Sequence, residues 1–154
     1  MNTKSKIISN NKKAYFSYSI SDVFLCGIAL TGSEIKAIRS NQVSISESYC
    51  ILNNEEVFIK NMDISRYQFC HEEDYNPTRL RKLLLKRIEI KKITKKLNEK
   101  GMTLIPTKVI LNEKGLAKIE VGLGKGKKTY DQREDVKQRD WNREKQRILK
   151  NSNR

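Results

Sequence analysis

Apolar and polar residues alternate over 14–20 (AYFSYSI), with Phe16, Tyr18 and Ile20 on one side and Ser17 and Ser19 on the other, the period of a half-buried strand. Residues 23–30 (VFLCGIAL) form a short apolar run that suits a core strand, and Gly27 within it marks a bend or bulge. Thr31-Gly-Ser-Glu34 has the spacing of a capping box, which predicts a short helix over EIKAIRS. SYCIL (48–52) and EVFIKN (56–61) flank Asn53-Asn54-Glu55 as a hairpin. Asn76-Pro77 reads as a helix start and Gly101 as its left-handed stop. The apolar stripe of that long helix shifts from Leu80, Leu83, Leu84 and Ile88 to Ile90, Ile93 and Leu97, so a bend or break is expected near Lys86–Glu89. TLIPTKVIL (103–111) and LAKIEVGL (116–123) make a second hairpin across Asn112–Gly115, with Pro106 placing its strand at an edge or a bulge.

About six short strands with helices between them are accommodated most economically by a mainly β fold with α. The expected form is a small closed β-barrel of the oligonucleotide-binding type, with flanking helices and a basic C-terminal tail. Residues 1–10 are polar and unpatterned and are expected to form a disordered arm, leaving 11–130 as the barrel domain. From Asp131 to Lys150 the apolar residues are Val136, Trp141, Ile148 and Leu149, too few to hold a helix on a core. Residues 131–154 are therefore expected to be disordered when free and helical on a partner.

Charge sharpens this picture because of where it lies. The 154 residues carry a net charge of +14. Residues 79–100 hold ten Lys/Arg against two acids, and residues 124–154 hold eleven against five, so the remaining chain balances to zero. A neutral body with two basic segments is a binding surface for a polyanion, and nucleic acid fits best. Neither segment has the bulky apolar face of an interfacial helix, and no run approaches a membrane span, so no membrane partner and a cytoplasmic, monomeric protein are expected.

One stretch in the second basic segment resembles a phosphate loop: GLGKGKKTYDQRED, 122–135. The Walker pattern fails, since Lys128 stands where a hydroxyl is needed and Val121 stands five positions before Gly126. The dinucleotide pattern fails as well, because Gly122, Gly124 and Gly126 are spaced by twos. Either a lysine turn that docks on a phosphate backbone or a solvated lysine-rich loop remains.

Catalytic chemistry is not expected, and neither is a cofactor. His71 is the single histidine, Glu72-Glu73-Asp74 beside it suits solvated carboxylates better than a metal site, and Cys26, Cys50 and Cys70 lie at wide spacings that suit buried free thiols.

Taken together, NKKAYFSY (11–18), CGIALTGSEIKAIRS (26–40), SESY (46–49), NPTRLRKLLLK (76–86), KGMTLIP (100–106) and GLGKGKKTYDQRE (122–134) resemble the SsrA-binding protein family, the tmRNA-binding partners of bacterial trans-translation. The likeness runs in order from residue 11 to about 150. It implies an RNA-binding adaptor that holds the tRNA-like domain of tmRNA and delivers it to ribosomes stalled on messages lacking a stop codon. The elongation factor carrying aminoacyl-tRNA would take part indirectly, through alanyl-tmRNA. The tail would enter the empty message channel of the small subunit at the decoding centre and fold there. Carried over residue by residue, the RNA-facing positions are Asn11, Lys12, Lys13, Lys36, Arg39, Ser48, Tyr49, Arg79, Arg81, Lys82, Lys86, Lys125, Lys127 and Lys128. The ribosome contacts are Tyr130, Asp131, Arg133, Lys137, Arg139, Trp141, Arg147, Ile148 and Leu149. Leu83, Leu84 and Leu85, at helical spacing, are expected in the core.

Four positions depart from the family pattern. Leu25 stands where an acidic residue is usual, Lys86 where His or Asn is usual, Asn76 for an aspartate, and Gln132 for a lysine. A generic single-strand binder on the same barrel is the other reading, and it would require exposed stacking aromatics at positions such as Tyr15, Tyr18 and Phe58.

Overall fold

The computed structural model describes residues 5–127 and 129–152, the side chains of 129–132, 134, 135 and 148–152 excepted. In chain order the elements are β1 (Lys6–Asn10), α1 (Lys12–Ser17), β2 (Tyr18–Ile28), α2 (Gly32–Arg39), β3 (Val43–Ser44), β4 (Tyr49–Asn53), β5 (Glu56–Lys60), β6 (Asp63–Ile64), β7 (Arg81–Leu84), α3 (Arg87–Leu97), β8 (Met102–Leu111), β9 (Ala117–Gly126) and α4 (Thr129–Ser152). Seven strands form one sheet in the order β1-β8-β9-β2-β7-β5-β4, while β3 and β6 pair separately. All pairings are antiparallel. The sheet curls until β4 lies close to β8, but no ladder joins them among the described residues. The expected closed barrel is therefore not formed by hydrogen bonding, and the architecture is a curled open sheet with helices around it.

Both hairpins form as the turn residues dictate. Asn54 and Glu55 take φ of 50° and 62°, the left-handed pair that matches the twist of a two-residue hairpin joining β4 to β5. At the β8–β9 turn the Asn112 side chain accepts from the amides of Lys114 and Leu116, and Gly115 takes φ 74°. The capping box of α2 is complete: Glu34 N–H donates to Thr31 Oγ1, and Thr31 N–H donates to Glu34 Oε1. Asn41, at φ 61°, ends the same helix in the left-handed conformation, with its amide bonded to Ile38 O. Pro106 is tolerated in β8, between β1 and β9, because the register shifts between it and Lys108; this is the bulge alternative, and the strand is internal rather than an edge.

Three sequence expectations are corrected. Lys6–Asn10, expected to be disordered, forms β1 against β8, and residues 1–4 lie outside the described set. Residues 12–17 are helical, so the strand alternation begins only at Tyr18, with its bulge between Ile20 and Asp22 rather than at Gly27. The long helix from Asn76 is a loop, a strand and a shorter helix. Arg81 and Leu83 of β7 point into the core while Lys82 and Leu84 point out, and α3 begins at Arg87. The shifting stripe near Lys86–Glu89 was thus a change of element, from period two to period 3.6. Gly101 (φ 82°) lies in the turn beyond α3, whose cap is Asn98.

The core lies in the concavity of the sheet, where Cys26, Val57, Ile59, Leu83, Val109, Ile119, Val121 and Leu123 meet Ala37 and Ile38 of α2 and Ile93 of α3. On the other side α1 packs against β2 and β8. There Gly122 and Gly124 act as strand residues. A Cβ on Gly122 would come within 2.8 Å of Ile20 Cγ2, and one on Gly124 within 3.2 Å of Ser19 O. Gly122→Ala is expected to cost about 1–3 kcal/mol by overpacking, read as a shift of the urea midpoint; an unchanged midpoint would mean that Ile20 moves aside freely.

Candidate nucleic-acid interface

Register alone assembles the outward face of the central strands. In the β2–β9 ladder Leu25 stands opposite Glu120 and Gly27 opposite Lys118; across the β2–β7 ladder Gly27 also faces Leu84. Their neighbours Phe24, Cys26, Leu83, Ile119 and Val121 point inward, so Val23, Leu25, Leu84, Lys118 and Glu120 share the outside. Leu25 is 58% and Leu84 51% exposed. The absence of a side chain at Gly27 lets Leu84 lie across it, since an added Cβ would sit 3.2 Å from Leu84 Cβ. Glu120 is held in place by Thr107, whose hydroxyl donates to Oε2 at 2.7 Å, and by Lys108 at 3.8 Å. Leu84, expected in the core, is therefore a surface residue, because β7 is a strand; Leu83 is buried and Leu85 half-buried. Lys118 escaped the sequence reading; its only signal was alternation within 117–123.

Among the expected RNA-facing residues, Lys12, Lys13, Lys36, Arg39, Tyr49, Arg79, Lys82, Lys86 and Lys125 are exposed, and Lys127 is half-buried. Several rest on partners that fix their stems. Lys13 pairs with Glu47 at 3.0 Å, Lys82 with Glu56 at 3.2 Å, and Arg39 donates to Gly115 O at 2.9 and 3.1 Å. Such exposed pairs are individually weak, so these cations remain available to phosphate. Lys36 sits 5.8 Å from the centre of the Tyr67 ring. Lys128 lies outside the described residues.

Three of the expected RNA-facing residues are buried in this structure. Asn11 is buried and donates from Nδ2 to Pro106 O and from its amide to Thr107 O, tying β1 and α1 to β8. Ser48 is buried, its hydroxyl donating to Ile45 O. Arg81 is fully buried: its Nε donates to the Glu34 carboxylate, Nη1 to Met62 O at 2.7 Å and Nη2 to Pro77 O at 3.0 Å. These residue types read as RNA contacts in one dimension, yet the structure turns them into the fold. Ser48 and Arg81 commit their donors to carbonyls and a carboxylate, and Asn11 gives its amide donors to β8 while its Oδ1 stays buried without a hydrogen-bond partner among the described residues. Arg79 shares the same carboxylate at 2.6 Å but stays half out in solvent. Burial pushes the Glu34 carboxyl up, and the hydrogen bonds from Arg79, Thr31 and Arg81 outweigh it, holding the group below its ordinary value.

Along α4, Arg133, Lys137, Arg139, Trp141 and Arg147 are exposed, and Trp141 leaves 61% of its surface in water. Arg139 reaches back to the body and lies 5.1 Å from the Phe16 ring centre, a cation–π contact. The side chains of Tyr130, Asp131, Ile148 and Leu149 lie outside the described residues.

His71, Glu72, Glu73 and Asp74 are exposed, and no group of His, Cys, Asp and Glu among the described residues could hold a metal. The cysteines are free thiols; burial pushes Cys26 up to about 12 and Cys50 higher, so neither is a nucleophile at neutral pH. No described helix is long and apolar enough to cross a membrane.

Comparison with known proteins places this geometry. The SmpB protein family matches residues 8–151. The chain is similar to the SsrA-binding protein of Cytophaga hutchinsonii, 49% identical over 96% of this chain and 99% of that one. It is also similar to that of Allorhizobium ampelinum, 45% identical over 96% and 94%, and to that of Thermosipho africanus, 43% identical over 94% and 97%. Among solved structures, a chain described as "tmRNA-SmpB: a journey to the center of the bacterial ribosome" is 36% identical, with a TM-score of 0.64, over 78% of this chain and 84% of that one.

Proposed function

Because this chain belongs to the SsrA-binding protein (SmpB) family, we propose that it is a non-enzymatic, cytoplasmic adaptor that binds the tRNA-like domain of tmRNA and accompanies it to stalled ribosomes. The observation that carries this reading is the full-length kinship of a chain whose sheet presents an aliphatic and basic outer face. Leu25 and Leu84 offer apolar contact to sugars and base edges, while Lys82, Lys118 and Arg79 stand near enough to the same strands to neutralise phosphates. Lys12, Lys13, Lys36, Arg39, Lys86, Lys125, Lys127 and Lys128 extend the positive field, which favours a long folded RNA surface over a single short strand. With Leu25 in place of the usual acid, the carboxylate nearest this face is Glu120, fixed by Thr107 and Lys108.

On this reading α4 is the ribosomal arm. Arg133, Lys137, Arg139 and Arg147 would meet ribosomal RNA, and Trp141 would bury its ring where message is absent from the channel. A ribosome still holding message has no room for the arm, which accounts for selectivity toward stalled complexes. The generic single-strand binder draws less support, since the exposed side chains of the central strands β2, β7 and β9 are aliphatic, hydroxyl or charged and supply no row of rings.

Binding of the tRNA-like domain of tmRNA, with a tRNA and an unstructured RNA as competitors across several salt concentrations, tests the reading. Tight binding that survives both competitors is expected, with a log–log salt slope of roughly −0.9 for each duplex phosphate engaged. Lys82→Glu and Lys118→Glu should each weaken binding and flatten that slope by about one contact. Equal affinity for all three RNAs would overturn the adaptor reading.

A further inference from the structure

Residues 65–80, between β6 and β7, form a loop that is anchored at its base and displays an aromatic ring in solvent. At the base Ile64 N–H donates to Pro77 O, Ser65 N–H to Gln42 O, and the Tyr75 hydroxyl to Ile64 O at 2.6 Å. Arg81 holds Met62 O and Pro77 O from beneath, so both ends of the loop are tied to the buried Glu34–Arg81 pair. Higher up, Cys70 N–H donates to Tyr67 O at 2.9 Å and Arg66 Nη2 donates to Cys70 O at 3.1 Å, which closes a tight turn over residues 66–70. Tyr67 leans on the core cluster. Phe69 meets it at 5.6 Å between ring centres and 67° between planes, and 64% of Phe69 faces water.

An exposed phenylalanine on a pinned turn keeps its ring hydrated at a cost, and its ring already rests edge-on against Tyr67. Two cations belong to the same turn and its Tyr67 neighbour: Lys36 lies over the Tyr67 ring, and Arg66 donates from Nη2 to Cys70 O. On the descending limb Glu72, Glu73 and Asp74 are exposed and repel phosphate. A backbone approaching this loop is attracted by Lys36 and Arg66 and repelled by the three acids.

We propose that Phe69 is a stacking platform for one unpaired nucleobase of the tmRNA, with Lys36 and Arg66 taking the phosphates on either side of that base. The inference rests on the RNA-binding function above and adds a site that lies on a loop rather than on the sheet. It assigns Phe69 recognition of a base in a loop or bulge, the form in which folded RNA offers its bases.

The test titrates the intact protein and its Phe69→Ala, Phe69→Leu, Phe69→Trp and Lys82→Glu variants against a labelled tRNA-like domain, each at several salt concentrations. Phe69→Ala and Phe69→Leu are expected to weaken binding by about ten-fold, and Phe69→Trp to keep it. The salt slope of all three should match that of the unaltered protein, because no phosphate contact is lost. Equal affinity of Phe69→Ala and the unaltered protein, with Lys82→Glu weakened, overturns the platform and leaves the RNA-binding function standing. Failure of the unaltered protein to bind the RNA overturns that function itself. Full affinity of Phe69→Leu would show apolar packing without stacking, and a Phe69→Ala variant that binds tmRNA normally but loses ribosome affinity would assign the ring to the ribosome; either result overturns the proposal.

Discussion

Arg81→Leu is expected to destabilise the fold by about 3–5 kcal/mol, because it strands a carboxylate in the interior. Glu34 is 1% exposed and receives its hydrogen bonds from Thr31, Arg79 and Arg81. Without the Arg81 guanidinium, Glu34 keeps only Arg79 and the backbone amide, the Met62 carbonyl loses the Arg81 donor, and the Pro77 carbonyl keeps the Ile64 amide alone. The loop they anchor would loosen with them. Urea unfolding measures the loss, and Glu34→Leu/Arg81→Leu should recover part of it, since the pair then leaves together. A loss below about 1 kcal/mol for the single variant would show that the pair is hydrated in solution.

The pH dependence follows from the same residues. The folded-state pKa of Glu34 lies below its ordinary value of 4.5, so its contribution to stability is present above that value and is lost as pH falls through the lower, folded one. In Arg81→Leu the carboxyl loses donors in a buried place and its pKa rises, which makes protonation favour the folded variant. The stability gap between the two proteins should therefore narrow as pH drops below 4.5. A gap that stays constant through this range would sink the assignment of the buried charge to Glu34.

Removal of residues 129–154 is expected to abolish tmRNA-dependent tagging on stalled ribosomes while leaving tmRNA binding at physiological salt and the melting midpoint of the body close to those of the whole protein. No described α4 residue belongs to the core cluster, and α4 meets the body along α1, where Arg139 stacks on Phe16. An exposed cation–π contact contributes roughly 0.5–1 kcal/mol, far short of the core's share. Helix α4 is long, polar and exposed along its described face, so its helical form is stable only marginally by itself. Tagging assayed in a reconstituted translation system, beside RNA titration and thermal melting, reads all three outcomes. Loss of RNA binding on truncation would place α4 in the RNA interface and merge the two basic segments into one site.

Local chemistry made the short-range elements legible. Thr31 and Glu34 announced α2, Asn54-Glu55 and Asn112–Gly115 announced two hairpins, and Pro106 announced an edge or a bulge, of which the bulge formed, because each acts through hydrogen bonds or dihedrals within a few residues. The segment 76–101 misled for a related reason. Leu80, Leu83 and Leu84 at spacings of three and one mimic a helical stripe, but three-dimensional pairing of β7 with β2 and β5 took the backbone into a strand, where Leu83 and Leu84 separate to opposite faces. Tertiary pairing outweighs helix propensity when a central sheet position would otherwise be empty.

Of the candidate site, the charge was readable and its use was not. Composition along the chain was enough to establish two basic segments, a polyanion as partner and a tail without a core of its own, and the motif order established kinship. Which basic residue serves the surface and which serves the fold was decided only by the packed structure. Arg79, Arg81 and Lys82 lie almost side by side in sequence, yet one is half out, one is fully enclosed by Glu34 and two carbonyls, and one is exposed beside Glu56. The outer cluster of Leu25, Leu84 and Lys118 likewise draws on three strands far apart in the chain. Burial and cross-strand register are properties of the whole sheet, set by which strands meet, and no local pattern of residues carries them.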